Sequence, residues 1–280
     1  MIRRVLVGLA GTQYSSAAIG MALDVAARCG ARATGVTVFD LQQLEHVGPQ
    51  PIGGGGLAKE LREHRVSELR ERIEQVVEEF DRACRDAGVP YDLVREERES
   101  PCDYMISLSR YHDLAVLGLR NIFEYGVIGE PQEDPSLLLV RLIREGVRPI
   151  VAAGPAFRSV KRVMIAYSGS MESAKTMKQF VTLRPWAPEQ VRIVTYQSDR
   201  ERADRLLASA ASYCRDHGLQ VETATLAASA LEELLPEAHG WGADLLVLGN
   251  SARSLLRRQI FGETALHVMQ HAELPLFLGQ

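Results

Sequence analysis

The chain repeats itself, and this internal duplication constrains the fold more than any other feature of the sequence. Residues 3–27 read RRVLVGLAGTQYSSAAIGMALDVAA, and residues 161–183 read KRVMIAYSGSMESAKTMKQFVTL. Each segment has a basic pair, a short apolar run, a turn of small and hydroxyl residues around a glycine, and then helical spacing. The turns are AGT at residues 10–12 and SGS at residues 168–170. We therefore expect two units of similar topology.

Two later pairs of segments repeat in the same order. DLAVLGLRN at residues 113–121 matches DLLVLGNSA at residues 244–252. RPIVAAG at residues 148–154 matches LPLFLGQ at residues 274–280, and in both a proline precedes a short apolar run. Because all three pairs keep their order, the duplication extends over nearly the whole chain.

The first copy is longer than the second. The two copies are offset by 158 residues at the early turn and by 131 at the later glycine, so the first copy carries 27 extra residues. They fall in GPQPIGGGG at residues 48–56, which predicts a flexible loop, and in a charged amphipathic segment at residues 57–88, which predicts a long helix. The second-copy counterpart at residues 199–218 is shorter. Gly88 and Gly218 are typical of the position just after a helix.

Apolar runs of strand length alternate with helical segments in each copy. The strands predicted in the second copy are Val163–Tyr167, Val191–Tyr196, Val221–Leu226, Leu245–Leu248 and Leu274–Leu278. Strands that alternate with helices build a parallel sheet covered on both faces. We therefore predict an α/β fold of two tandem Rossmann-like domains, residues 1–155 and 156–280, each a five-stranded parallel sheet flanked by helices.

Composition excludes several classes of protein. A formal charge of −4 gives no reason to expect nucleic acid or an anionic membrane as partner. No apolar stretch approaches the roughly 18 residues that a membrane span needs. The four cysteines are scattered without a CxxC pair, which argues against a disulfide framework or a zinc knuckle. We expect a soluble cytoplasmic protein.

The early turns and the later glycines, Gly118 and Gly249, all follow predicted strands. Parallel sheets bind ligands outside the carboxyl ends of their strands, so this placement predicts a site at that edge. The chain has no GxxxxGK[ST] sequence, no GxGxxG after a strand and no GxSxG turn. A P-loop NTPase, a dinucleotide dehydrogenase and an α/β-hydrolase are therefore disfavoured.

Together these features resemble the universal stress protein family in its tandem two-domain form. In that family the first strand ends in an acidic residue followed by Gly-Ser/Thr, and a later strand ends in G-x2-G-x9-G-S/T. The resemblance implies the five-stranded α/β fold, binding of ATP or another adenine nucleotide, and glycine amides that wrap its phosphates. It also implies that the two final strands pair, which here would make an internal pseudo-dimer of the two domains. A homodimer of whole chains remains open.

The second copy keeps the spacing of the later loop, with GNSA at residues 249–252, nine further residues, and then GET at residues 262–264. The resemblance implies that the nucleotide is surrounded by Ser168, Gly169, Val194, Gly249, Asn250, Ala252, Gly262, Glu263 and Thr264. Within this set Ser168 and Gly169 face the phosphate loop from the first strand, and Val194 lies near the adenine.

Three positions of the second copy depart from the family pattern. Ser168 replaces the aspartate, Ala252 the second glycine, and Glu263 the first hydroxyl of the late motif. An alanine adds one methyl group and is tolerated where φ is negative. The Glu263 carboxylate opposes phosphate binding unless it points away or meets Mg²⁺. Three arginines in the nine-residue span offset that charge: Arg253, Arg257 and Arg258.

The first copy departs further. Ala10 replaces the aspartate, Gly129 is the nearest match to the late glycine, and Arg120 is the cation closest to the acidic residues that follow. Those acidic residues are Glu130, Glu133 and Asp134. We therefore predict a working nucleotide site in the second copy and a degenerate one in the first.

Simpler readings of the same residues stay open. Hydroxyls after a strand often cap the next helix, so Thr12 and Ser170 are predicted N-caps. His267 and His271 lie one helical turn apart, but no third ligand is evident, and we predict no metal site. The cysteines are read as packing residues.

The predicted function is a stress-response regulatory protein that binds ATP or another adenine nucleotide, with or without Mg²⁺, and has no robust catalytic reaction. Two alternatives remain. One is a protein-interaction module whose nucleotide motif has eroded, which the departures at Ala10, Ser168, Ala252 and Glu263 favour. The other is a weak ATP hydrolase, which is disfavoured because no residue is placed by sequence as a base for water activation.

Overall fold

The fold is known from a computed structural model that describes most of the chain. The described residues are 1–39, 55–97, 101–120, 135–146, 149–226, 229–249 and 263–279. In this part of the chain, ten strands and eight helices alternate, as the sequence predicts.

The strands, in chain order, are β1 (Arg4–Gly8), β2 (Arg32–Phe39), β3 (Tyr91–Glu97), β4 (Leu114–Gly118), β5 (Ile150–Ala153), β6 (Arg162–Ala166), β7 (Gln190–Thr195), β8 (Val221–Thr225), β9 (Leu245–Gly249) and β10 (Leu276–Gly279). The helices are α1 (Ser15–Cys29), α2 (Gly55–Ala87), α3 (Pro101–Ser109), α4 (Pro135–Glu145), α5 (Met171–Leu183), α6 (Arg200–Asp216), α7 (Ala230–Trp241) and α8 (Glu263–His271).

All ten strands form one continuous sheet in the order β3-β2-β1-β4-β5-β10-β9-β6-β7-β8. Strands within each half are parallel, which confirms the predicted α/β class with a parallel sheet in each half. The halves meet where β5 and β10 pair antiparallel, with Val151 opposite Phe277. The predicted pairing of the two final strands is therefore observed. The domain boundary at residue 155 stays a prediction, and it falls between β5 and β6.

The helices cover both faces of the sheet because alternate side chains of each strand point to opposite faces. One apolar cluster packs α1, α2, α5 and α6 on one face, and a second packs α3, α4, α7 and α8 on the other. We call these the α1 face and the α8 face. Each cluster contains residues of both halves, so the two halves share their hydrophobic core.

An aspartate anchors the first strand of each half in the same way. Asp113 Oδ2 accepts hydrogen bonds from the backbone N–H groups of Arg3 and Arg4, at 2.8 and 3.1 Å. Asp244 Oδ2 does the same for residues 161 and 162, at 3.0 and 2.9 Å. The repeated Asp before each VLG strand is therefore explained by strand anchoring.

Helix ends confirm some local predictions and correct others. Gly88 and Gly218 have positive φ values of 63° and 76°, as expected just after a helix. Ser170 caps α5, since its Oγ accepts from the Ser173 N–H at 3.2 Å. The prediction for Thr12 was wrong: α1 begins three residues later, at Ser15, and Thr12 Oγ1 instead accepts from the Tyr14 N–H at 3.3 Å inside a turn.

The insertion in the first copy also differs from its prediction at one end. Helix α2 begins at Gly55, so the last two glycines of the predicted loop are helical. A helix is costly to nucleate, but each residue added to an existing helix gains one hydrogen bond. The packed part of α2 can therefore extend over these two glycines. The rest of the predicted loop, residues 48–54, lies outside the described residues.

Candidate functional site

The sheet topology places a crevice at the carboxyl ends of β6 and β9. These strands are neighbours, but β6 is followed by α5 on the α1 face whereas β9 is followed by α8 on the α8 face. The chain therefore leaves adjacent strands toward opposite faces, which opens a crevice outside their ends. The same arrangement occurs between β1 and β4 in the first half.

The turn after β6 holds three serine hydroxyls together. Ser168 Oγ lies 3.0 Å from Ser170 Oγ and 3.3 Å from Ser173 Oγ, and Ser168 itself is exposed. Gly169 has a φ of +75°, and an added Cβ would lie 2.6 Å from a methyl carbon of Leu206. The positive φ favours glycine here, whereas the Leu206 side chain is flexible and could move away, and the turn presents its hydroxyls beside the N-terminus of α5.

Gly249, the last residue of β9, joins this turn to the later loop. A Cβ at this position would lie 2.6 Å from Ser173 Cα and 2.8 Å from the Glu172 carbonyl oxygen. The first turn of α5 thus rests directly on the end of β9. Gly118 in the first half is also closely packed, because a Cβ added at this position would lie 2.8 Å from Tyr14 Cβ. Both glycines have a packing role that needs no ligand.

The first turn of α8 completes the described part of the site. Glu263 is exposed and Thr264 is partly buried. The first N–H groups of a helix have no acceptor within the helix, and the helix dipole adds partial positive charge there. This end of α8 therefore suits an anion. Three predicted site residues, Asn250, Ala252 and Gly262, lie outside the described residues, as do Arg253, Arg257 and Arg258.

Val194, which is predicted to lie near the adenine, is near the end of β7. Its side chain is completely buried in the core of the α8 face, and its place beside an adenine stays a prediction. The residue two positions further on, Tyr196, lies on the same face just beyond the end of β7 and is partly buried. Because Tyr196 follows Val194 by two residues, strand alternation keeps both side chains on the α8 face.

The Tyr196 hydroxyl is buried and has no hydrogen-bond partner among the residues that the structure describes. Burial raises the pKa of this phenol, and the nearby carboxylates Glu233 and Glu237 raise it further. Next to it, Gln197 Nε2 donates to the Ser168 carbonyl oxygen at 3.4 Å. No sequence motif marks Tyr196 or Gln197, so neither is among the predicted site residues.

The first half arranges the corresponding residues differently. Ala10 is buried, and Gly11, with a φ of +61°, packs against the Arg72 backbone. Arg120, expected to balance acidic residues in its own loop, instead extends to the second half, where its Nη2 donates to the Ala272 carbonyl oxygen at 3.1 Å. Gly129 and the acidic residues Glu130, Glu133 and Asp134 lie outside the described residues.

Metal and thiol chemistry find no support in the described part of the chain. No group of three or more His, Cys, Asp or Glu side chains is placed there to hold a metal ion. The rings of His267 and His271 stack at 4.2 Å, and His271 Nδ1 lies 2.8 Å from the His267 carbonyl oxygen. Burial raises the pKa of the Cys84 thiol to about 12 and that of Cys214 to about 11, which suits packing residues.

No described helix has the length and apolar character that a membrane crossing requires. A cytoplasmic location stays a prediction.

Comparison with known proteins agrees with the fold. The sequence model of the Universal stress protein family matches residues 1–113 and 159–278. The chain is 21% identical over 290 residues to universal stress protein Slr1230 of Synechocystis, covering 98% of this chain and 99% of that protein. Its structure is similar to that of a universal stress protein from Archaeoglobus fulgidus, with a TM-score of 0.64 and 13% identity over 99% of this chain and 96% of the other. A putative universal stress protein from Pseudomonas aeruginosa has a TM-score of 0.58 and 13% identity, over 99% and 93% of the two chains.

Proposed function

The chain belongs to the universal stress protein family, and from that premise we propose that it binds an adenine nucleotide in its second half. One observation carries the proposal. The turn that holds Ser168 and Gly169 and the loop that starts at Gly249 meet at the N-terminus of α5, through contacts of Ser173. Residues more than 75 positions apart in the sequence thus converge at the crevice where parallel sheets bind ligands.

The described groups suit a phosphate-bearing ligand. Backbone N–H groups in the first turn of α8 would hold phosphate oxygens, and the hydroxyls of Ser168 and Thr264 would donate to phosphate or ribose. Glu263 is exposed at the same end of α8, where its carboxylate would be a ligand for Mg²⁺. Bound Mg²⁺ would neutralise phosphate charge. ATP with Mg²⁺ is therefore the first nucleotide to test.

The experiment starts from the protein as purified. The full chain is denatured, and released nucleotide is identified by mass spectrometry. Titration calorimetry with ATP and with AMP, with and without Mg²⁺, then gives affinities. We expect Gly262→Asp to abolish binding, because it adds charge and bulk at the predicted phosphate loop, and Gly129→Asp in the first half to leave it unchanged.

We further propose that nucleotide binding serves regulation and not turnover. A phosphate-release assay on the full chain tests this. A slow hydrolysis that Gly262→Asp removes would contradict the proposal and support the weak ATP hydrolase.

A second function, a protein-interaction module with an eroded nucleotide motif, is favoured by one observation. The Ser168 hydroxyl lies within hydrogen-bond distance of two hydroxyls of its own turn, and the first half has a buried alanine, Ala10, at the matching position. Neither half therefore has the carboxylate of the family pattern. No released nucleotide and no binding heat at millimolar ATP would favour this function over the first.

A further inference from the structure

Arg120 connects the two halves at the edge where the candidate site lies. It lies two residues after β4, in the first half, and its Nη2 donates to the carbonyl oxygen of Ala272 at 3.1 Å. Its Nη1 lies 3.5 Å from the hydroxyl of Tyr14, which precedes α1. Ala272 comes immediately after α8 in the second half and is 2% exposed. A cation of one half therefore contacts the C-terminal end of a helix in the other.

The contact of the Arg120 guanidinium with the C-terminal end of α8 stabilises the helix. The last carbonyl groups of a helix have no donor within it, and the dipole gives that end partial negative charge. The guanidinium group of an arginine satisfies both needs, because it carries a positive charge and several N–H donors. The bond therefore fixes where the C-terminal end of α8 lies relative to the first half.

The backbone that carries Arg120 is itself held firmly. The preceding residue, Leu119, is buried and its N–H donates to the Ala153 carbonyl oxygen at 2.8 Å. Before it, Gly118 packs tightly against Tyr14. The backbone of Arg120 is therefore held in a defined place, so that its side chain can hold the C-terminal end of α8 in a defined place as well.

The other end of α8 bears Glu263 and Thr264 of the candidate site. The helix has nine residues and is packed through three buried side chains, Ala265, Val268 and Met269. A short helix that is fixed at its C-terminal end presents its N-terminal N–H groups at a defined place. A shift of α8 would move the proposed phosphate-binding end with it.

We propose that Arg120 is a positioning residue for the nucleotide site of the second half, acting through α8. The inference rests on the proposed function. Under this proposal, Arg120 of the first half, where the nucleotide motif is predicted to be degenerate, supports the nucleotide site of the second half. The matching residue of the second copy is Ser251, which has no cationic group.

The test compares two bonds that join the halves on opposite faces. Arg120→Met removes the bond to Ala272. The control, Trp186→Phe, removes the bond from Trp186 Nε1 to Asp24 Oδ2, which is 2.9 Å long and lies on the α1 face. Arg120→Lys keeps the charge near the end of α8 but not the planar group. For each chain, the Kd for Mg²⁺-ATP is measured by calorimetry and the melting temperature by scanning calorimetry.

We expect Arg120→Met to raise the Kd on the order of five- to tenfold, the lower end of typical coupling between sites. Trp186→Phe lowers the melting temperature but keeps the Kd within about twofold of the unsubstituted chain, since it leaves α8 in place. Arg120→Lys has an intermediate Kd, and it remains informative if Arg120→Met does not fold. Hydrogen exchange in α8 becomes faster in Arg120→Met only.

Two results would overturn the inference while the proposed function stands. One is an unchanged Kd in folded Arg120→Met or Arg120→Lys, with tight binding by the unsubstituted chain. The other is an equal rise of the Kd in Trp186→Phe, which would show that any loss of contact between the halves weakens binding. No binding by the unsubstituted chain would instead overturn the proposed function, and this inference with it.

Discussion

Two threonines occupy the same position in the two halves and share an unusual environment. Thr37 in β2 and Thr195 in β7 are 158 residues apart, the offset of the duplication, and they are 0% and 1% exposed. Neither hydroxyl has a hydrogen-bond partner among the described residues. A buried hydroxyl without a partner costs about 1–3 kcal/mol. Each half is therefore destabilised by one such buried hydroxyl.

We expect Thr37→Val and Thr195→Val to raise the free energy of unfolding by up to about 1 kcal/mol each, because valine has the same shape without the polar group. Urea unfolding followed by circular dichroism measures the change. The matched control is Thr34→Val in β2, since Thr34 Oγ1 lies 3.1 Å from His112 Nε2 and its loss should destabilise the protein. Equal destabilisation by all three changes would show that Thr37 and Thr195 have partners.

His112 links stability to pH. The ring is buried, with Nδ1 2.8 Å from the Leu108 carbonyl oxygen and Nε2 at Thr34, and burial lowers its pKa. The unfolded chain, with a histidine pKa of about 6.5, then binds more protons than the folded one below that pH. The contribution of His112 is complete above about pH 6.5 and is lost as the pH falls below it.

Urea midpoints between about pH 5 and pH 7.5 test this expectation. His112→Gln should flatten the dependence, whereas His271→Gln, at an exposed position, should leave it as in the unsubstituted chain. If the urea midpoint of His112→Gln depended on pH as in the unsubstituted chain, a group other than His112 would be responsible for the dependence.

At the scale of the elements, the packing of α5 on β9 shapes the candidate site. Gly249 allows the backbone of α5 to approach the strand end, and no flexible side chain lies there to yield. We expect Gly249→Ala to lower the free energy of unfolding by about 1–3 kcal/mol. Gly240, inside α7, has open space where a Cβ would lie, and Gly240→Ala should stabilise the protein by about 0.5–1 kcal/mol. Denaturant unfolding of the two variants measures both effects, and a harmless Gly249→Ala would contradict the close contact.

Sequence periodicity predicted most elements of the second half to within two residues. The last strand shows why boundaries shift: the apolar run starts at Leu274, but β10 begins at Leu276. The intervening Pro275 has no N–H for the ladder, although its carbonyl oxygen accepts from Leu246 at 3.0 Å. The site was less predictable, because only the folded chain brings Gln197, which no motif marks, beside the turn that holds Ser168.

At the scale of the molecule, the two halves share one sheet and both apolar clusters. We therefore expect a single unfolding transition, with calorimetric and van 't Hoff enthalpies equal. Phe277 lies at the junction, fully buried, opposite Val151 and edge-to-face with Phe180 at 5.4 Å. Phe277→Ala should lower the free energy of unfolding by about 3–5 kcal/mol and shift the whole transition.

Scanning calorimetry measures the shift, and Phe157→Ala, which removes a ring that is 50% exposed, is the control and should have a smaller effect. Two resolved transitions, one of them unmoved by Phe277→Ala, would show that the halves unfold independently.

The sequence by itself determined the two-fold repeat, the alternation of strands and helices, and the edge at which a ligand would bind. These follow from local patterns, since strand length, helical spacing and turn residues act between near neighbours in the chain. Only the tertiary structure decided the antiparallel register of β5 and β10, the contact of Arg120 with the end of α8, and the burial of the Thr37 and Thr195 hydroxyls without a partner among the described residues. Each of these depends on which distant side chains meet after the sheet has closed, and no local pattern records that.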